Sequence, residues 1–555
     1  MITLAVVAAL ALSGGVAAFL LLRGSTVDLL ERVPADADVA AVVYLDPSAS
    51  QKVNLARLLE AFPGLRGDLG GADDLDSRIE TLGDDLLADA RLQTDDVRSW
   101  LGVEVAIAVD VVDDEVRGAL IADVVDEEGA RRMLAKLGAP GAPWDGITWT
   151  ERDYEGAILH IPDRDAAAAY AFDDDALVFA SDEGFLEDVI DTTRGTLQHL
   201  GTTPSFQEAE AALPDGRLFI AYANAEALVD AAVDQLAPLG AGSVTSLSGL
   251  GDLEGVRGVA LSIAAEPHGI ALDVVAAYDP AVLSGPLREQ AIAPDRENEL
   301  LSMVPGDAWG VYAVQHVDLA IDAFAEELQA QEPGAAGELD VRGLTGPGGF
   351  LKHVTGDLAI EMAPGDAIGV GGALLVGVDD DAAAREALDI LMIRSTPGTA
   401  DVSVTASGRV RDREGHADWR DEEYQGTTIT YAAASEVPIA YAVRDGVAVI
   451  GTTPEQVVGV LDAASTDEGL VETPTFIRGI EGVPAADGLL FVDVGRVMAS
   501  IRDLMSSEER AEFDKEVAPD LGAIRSVAMG LDIDEEGQRT RFFVAIGGPS
   551  DPQKE

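Results

Sequence analysis

Carboxylates are the chemical resource this sequence holds in quantity. There are 100 Asp and Glu against 37 Lys and Arg, a formal charge of −63. Four clusters have a spacing that could hold a cation. Asp113-Asp114-Glu115, Asp173-Asp174-Asp175 and Asp379-Asp380-Asp381 each set three acids in a row. Asp532-Ile533-Asp534-Glu535-Glu536-Gly537 opens like a calcium loop, yet its twelfth position, where a bidentate Glu belongs, is Phe543. A hairpin turn is the favoured reading there. The three triplets fall at expected turns and helix starts, uses that already account for them. Divalent cations are weak candidate partners. Pairs such as Glu151/Asp153 and Glu422/Glu423 could move protons in a hydrolase. In a chain this acidic, close pairs also arise by chance.

Other chemistries find no support. Gly369-Val370-Gly371-Gly372 lacks the third glycine of a dinucleotide fingerprint. Lys352, after Gly348-Gly349-Phe350-Leu351, follows no phosphate-cradling loop, and there is no G-x-S-x-G elbow. The chain has no cysteine, which removes disulfides, thiolate metal sites and cysteine nucleophiles. Its six histidines, His160, His199, His268, His316, His353 and His416, include no helical i, i+4 pair. Trp144 and Trp149 flank a strand start and read as packing. No catalytic, cofactor-binding or metal-ligating residue is assigned, and the chain is read as a non-enzyme.

The elements that would position any site are written twice. Tyr154-Glu155-Gly156 returns as Tyr424-Gln425-Gly426, and Ala169-Tyr170-Ala171 as Ala440-Tyr441-Ala442. Thr203-Pro204-Ser205-Phe206 returns as Thr473-Pro474-Thr475-Phe476, and Val33-Pro34-Ala35-Asp36 as Val304-Pro305-Gly306-Asp307. The tyrosines and the prolines of Thr-Pro-x-Phe each lie 270 residues apart, in one order. That is far above solenoid periods, so it predicts a tandem duplication of whole domains. Alternating strands beside tight acidic or glycine turns predict an α+β fold of two similar domains. Each is expected to be a mostly antiparallel sheet with helices packed on one face. The predicted boundaries are 25–283 and 300–547, with a linker at 284–299 and a disordered tail at 548–555. Ser48 or Ser50 is expected to cap a helix, Ser181 another, and Thr453 with Gln456 to form a capping box.

Ile2–Leu22 is 21 residues without a charge, about 30 Å as a helix and so matched to a bilayer. Residues 1–24 are therefore read as a transmembrane anchor, and the lipid bilayer as a partner through Ile2 to Leu22. A cleaved signal peptide ending near Gly15-Val16-Ala17 is the competing reading; the apolar run continues past that site. Arg23 alone would argue for a cytoplasmic body, but Asp28 and Glu31 stand near it. The body is placed outside the membrane. An envelope so acidic repels phosphate backbones, so nucleic acid is not an expected partner.

Val33-Pro34-Ala35-Asp36, the strand to Leu45-Asp46-Pro47-Ser48, Gln51-Lys52 and Leu58-Leu59 to Phe62-Pro63 resemble the opening of the family called domain of unknown function 3352. Tyr441 through Asp445-Gly446-Val447 to Gly451-Thr452-Thr453-Pro454 fits a later segment of it. The resemblance implies an actinobacterial envelope protein with one amino-terminal span, and it carries over no site residues. The reading is a single-pass, extracytoplasmic binding or scaffold protein, with an envelope protein or an apolar ligand as partner. The alternatives are a carrier of an apolar ligand or lipid, and a carboxylate-based, metal-dependent hydrolase.

Overall fold

The computed structural model of the chain describes residues 29–62, 87, 91–112, 115–164, 167–225, 255–283, 285–321, 343–345, 348–365, 369–395, 419–432, 439–466 and 468–547. The apolar span Ile2–Leu22, the tail 548–555, Asp113 and Asp114, and most of the acidic region 73–101 lie outside these residues. Among the described residues, no helix is long and apolar enough to cross a membrane. The chain divides into two compact units. One runs to Leu283 and takes Glu536–Arg539 and Gly547–Glu555; the other is Ser284–Glu535 with Thr540–Ile546.

In the first unit the elements are β1 (Val39–Tyr44), α1 (Ala49–Leu59), α2 (Thr94–Arg98), β2 (Leu101–Val112), β3 (Glu115–Val124), α3 (Glu127–Leu137), β4 (Trp149–Tyr154), β5 (Ala157–Pro162), β6 (Ala169–Asp173), β7 (Ala176–Ala180), α4 (Glu183–Thr193), α5 (Pro204–Ala211), β8 (Phe219–Asn224), β9 (Val256–Glu266) and β10 (Gly269–Tyr278). Every pairing is antiparallel, in the order β4-β5-β6-β7-β3-β2-β1-β8-β9-β10.

The second unit holds α6 (Gly285–Ala291), β11 (Gly310–Val314), β12 (Val354–Gly365), β13 (Gly369–Gly371), β14 (Ala373–Val378), α7 (Asp381–Ser395), β15 (Trp419–Tyr424), β16 (Thr427–Ala432), β17 (Ala440–Arg444), β18 (Val447–Gly451), α8 (Pro454–Ala463), α9 (Pro474–Gly479), β19 (Gly488–Asp493), α10 (Val494–Leu504), α11 (Ser507–Glu516), α12 (Ala518–Leu521) and β20 (Ile524–Ile533), and the part of the last strand, β21 (Gly537–Ile546), from Thr540 on. Its antiparallel order is β15-β16-β17-β18-β14-β12-β11-β19-β20, β13 pairing with the end of β12. These nine strands follow the order of β4-β5-β6-β7-β3-β2-β1-β8-β9 in the first unit. The fold is α+β.

Small contacts repeat as well. Tyr154 Oη donates to Asp191 Oδ2 at 2.9 Å, and Tyr424 Oη to Asp462 Oδ1 at 2.8 Å. Leu200 N donates to Val33 O at 2.9 Å, and Leu470 N to Val304 O at 2.8 Å. The Tyr-x-Gly signature is a two-residue hairpin turn: φ is 48° at Glu155 and 88° at Gly156, 49° at Gln425 and 81° at Gly426. Both central residues are left-handed, which suits the twist of the strands they join.

Helices cover both faces of each sheet, where one face was expected. On β7, Ala176, Val178 and Ala180 pack with α4 and α5 residues such as Phe185, Ile190 and Phe206. Leu177 and Phe179, on the other side, pack with Met133 and Leu134 of α3. In the second unit Val449 faces Val457 and Leu461 of α8, while Ala448 faces Ala384 and Leu388 of α7. Strands such as Ala-Leu-Val-Phe-Ala have no polar alternation, and a strand apolar on both sides must be covered on both.

Two local expectations shift, both at helix caps. Asp182, not Ser181, caps α4, accepting from Phe185 N at 2.9 Å. Thr453 caps α8 through Gln456 N at 3.3 Å, but the Gln456 side chain turns away to Pro364 O, leaving half a capping box. The segment expected as a linker contains α6, and Gln290 Nε2 of α6 donates to Asp487 at 3.1 Å. Ser48 caps α1 as expected, accepting from Gln51 N at 3.4 Å.

Candidate functional site

The acidic clusters are tied up by their own surroundings. Asp173-Asp174-Asp175 turns β6 into β7. Asp173 is buried, with Oδ1 2.5 Å from Arg194 Nη2 and Oδ2 3.2 Å from Arg32 Nη1. Arg194 Nη1 reaches Asp174 at 3.0 Å and Arg32 Nη2 reaches Asp175 at 2.5 Å. Two guanidiniums thus occupy the lone pairs a cation would need. Asp379-Asp380-Asp381 scatters its carboxylates. Asp379 Oδ1 is 3.0 Å from His353 Nδ1, Asp380 Oδ1 caps α7 through Ala382 N and Ala383 N, and Asp381 Oδ1 accepts from Gly446 N at 2.8 Å.

The calcium-like run connects β20 to β21, and Phe543, in the place of its last ligand, is 3% exposed in β21. Among the described residues, no three His, Asp or Glu side chains are grouped to hold a metal ion.

Glu151 and Asp153 lie exposed on β4; Glu151 Oε1 is 3.9 Å from His160 Nδ1. Glu422 and Glu423 are adjacent on β15 and so point to opposite faces, Glu423 accepting from Thr428 Oγ1 at 2.8 Å. Trp144 and Trp149 join Tyr170, with ring centroids 5.2 Å apart between the tryptophans and 5.0 Å from Trp149 to Tyr170, and His160 stacks on Tyr170 at 4.4 Å. This is packing beside α3. Gly372 explains its glycine by close approach: φ is +145°, and a Cβ would lie 2.0 Å from Glu361 O. Lys352 sits in the 3₁₀ turn Phe350–His353.

Two features carried no sequence signal. The first is Glu361 on β12. It pairs in register with Val311, is 3% exposed, and its Oε2 has no hydrogen-bond partner. Burial, with the charge of Asp307 nearby, pushes its carboxyl up to about 7.

The second is a groove of about 950 Å³ within the second unit. One wall is residues 295–302, including the 3₁₀ turn Glu299–Met303; the other comes from Val471, α9 and the start of β19. Leu301, Phe476, Ile477, Ile480 and Leu489 form its apolar lining, and Ile477 at the lip is 54% exposed. The walls are fixed. Buried Asn298 accepts from Leu300 N at 3.0 Å and donates to Val314 O at 3.0 Å and Leu358 O at 3.3 Å. Arg296 grips Asp357 with both guanidinium nitrogens at 2.6 Å. Thr473 caps α9 through Phe476 N at 3.3 Å, and Phe476 meets Phe491 edge-on at 4.9 Å. The Thr-Pro-x-Phe motif was legible as a helix start; that its phenylalanine lines a groove was not.

The sequence pattern of the family described as "Protein of unknown function (DUF3352)" matches residues 3–396. The chain belongs to the DUF3352 family. The match takes in the first unit and the first wall of the groove, and stops short of Val471, α9 and β19. No activity comes with the DUF3352 description. No curated protein matches the chain. Three crystal forms of TP0453 share a slight likeness with this DUF3352 chain. Form IV has a TM-score of 0.24 and 10% identity over 45% of this chain and 81% of that one. Form I has 0.24 and 10% over 47% and 82%, and form III 0.23 and 12% over 47% and 84%. No functional conclusion passes between proteins at such scores.

Proposed function

We propose that this DUF3352 chain is a single-pass, membrane-anchored protein whose body lies outside the membrane and acts by binding, without catalysis of its own. The observation that carries the reading is the groove of the second unit: Leu301, Ile477, Ile480 and Leu489 give it an apolar lining beside an acidic wall, and its walls are held by hydrogen bonds. Pockets of this size and lining take ligands. The arginine-locked triplet at Asp173 supports it further, since the best carboxylate cluster of the sequence serves the fold. The uncharged length of Ile2–Leu22 supports the anchor. We read the shared strand order of the two units as the product of duplication, which gives a tethered protein twin sheets. A second reading, carriage of an apolar ligand, is favoured by the groove volume alone.

Protease shaving of intact cells tests the placement. Loss of the body from intact cells, with a short membrane-bound remnant, is the expected result. Full protection until lysis would overturn the outward orientation, and an uncut chain in the soluble fraction would overturn the anchor.

A further inference from the structure

The groove has a chemistry more specific than its apolar lining. Its first wall carries three carboxylates, Asp295, Glu297 and Glu299, all exposed. The cation among them, Arg296, is already neutralised by Asp357 in a two-pronged pair. The far wall presents Val471, Ile477 and Ile480 over the buried Phe476, so one side of the groove is acidic and the other apolar. Such a surface repels anionic amphiphiles and attracts cationic ones. Its form decides between a small amphiphile and a polypeptide. Ile477 stands more than half exposed at the lip of the groove. A single alkyl chain laid there would keep one side in water. A helix laid over the lip would insert side chains and cover Ile477 at once, with apolar residues at i, i+3, i+4 and i+7.

We propose that this groove docks a basic amphipathic helix of a partner protein, its apolar stripe against Val471, Ile477 and Ile480 and its Lys or Arg residues against Asp295, Glu297 and Glu299. The proposal deepens the binding reading and rests on it only for the absence of catalysis. The shaving experiment can fail without touching the groove, and the reverse.

The test uses the full chain in zwitterionic nanodiscs and a fluorescent peptide of about 16 residues, Leu at helical spacing and Lys on the flanks. An otherwise identical peptide with Glu for Lys is the comparison, and empty discs give the background. The Lys peptide should bind and the Glu peptide should not. Asp295→Asn, Glu297→Gln and Glu299→Gln together should weaken binding about tenfold, the sum of three exposed charge pairs. Ile477→Asp separates local docking from general attraction to an acidic protein. It makes the chain more negative, so attraction to net charge predicts tighter binding, whereas docking predicts loss. Equal binding of the two peptides, or unchanged binding in either variant, would overturn the proposal. So would binding of dodecyltrimethylammonium at this groove, lost in Ile477→Asp, with no binding of the peptide.

Discussion

Asp173 and Glu361 are both buried carboxylates, and they owe their states to opposite causes. Asp173 lies between two guanidiniums, so its charge is paired and each carboxylate oxygen has a donor. Glu361 is buried opposite Val311, and burial with the like charge of Asp307 pushes its carboxyl up to about 7. Asp173→Asn would leave Arg32 and Arg194 facing a neutral amide. We expect a loss of about 3 kcal/mol in denaturant unfolding, typical of breaking a buried pair. Millimolar calcium should leave the wild-type midpoint where it is; a calcium-induced rise would restore the metal reading of the triplet. For Glu361 the folded carboxyl titrates near 7 and the unfolded one near 4.5. The folded chain therefore keeps a proton that the unfolded chain has released. Stability should fall as pH climbs between those values, by at most about 3 kcal/mol. Glu361→Gln should remove that slope, matching wild type at pH 4 and exceeding it at pH 8 in chemical denaturation. An unaltered slope would mean the carboxyl is wetter than its surroundings suggest. The sequence offered Asp173 as a cation ligand because a run of acids looks the same whether arginines stand opposite or not. Arg32 lies 141 residues away in the chain, and only folding brings it near.

At the scale of elements, the two Tyr-x-Gly hairpins are where local chemistry alone decides the outcome. Gly156 and Gly426 have open space where a Cβ would go, so only their left-handed φ requires glycine. Gly426→Ala should cost about 1 kcal/mol, a purely conformational penalty, and Gly156→Ala about the same. Thermal melts of the two single variants measure it, and a neutral outcome would mean the turn relaxes to another type. Such turns, and caps at Ser48 and Thr453, could be read from short spacing. What could not was which serine or aspartate of a pair takes the cap, as Asp182 over Ser181 shows. There Ser181 accepts from Gly118 N at 3.0 Å across the sheet, a partner 63 positions away. The same limit applies to the expected linker, whose helix α6 is secured by Asp487, far along the chain.

At the scale of the whole molecule the dominant quantity is the charge of −63. Ion pairs engage many of the arginines, yet the acids outnumber all basic residues nearly threefold, so most carboxylates repel one another across the surface. Added salt screens that repulsion over about 10 Å at 0.1 M. The melting midpoint should rise with sodium chloride and level off once screening is complete. A midpoint that falls with salt would show that paired charges, rather than the excess, control stability. The same field raises the local concentration of any cationic partner, which is why the groove proposal is tested with a variant that adds negative charge.

Period, turn and composition were properties of the sequence alone: that one set of elements is written twice, that its hairpins close at Tyr-x-Gly, that the leading residues are apolar, and that no thiol or glycine-loop chemistry is on offer. These depend on neighbours within a few residues, or on counting, and neither needs three dimensions. Tertiary structure decided that helices cover both faces of each sheet, that Asp173 is an ion-pair partner, that Glu361 is buried without one, and that Phe476 and Leu301 face each other across a groove. Each of those is settled by residues distant in sequence that meet only when the strands take their order.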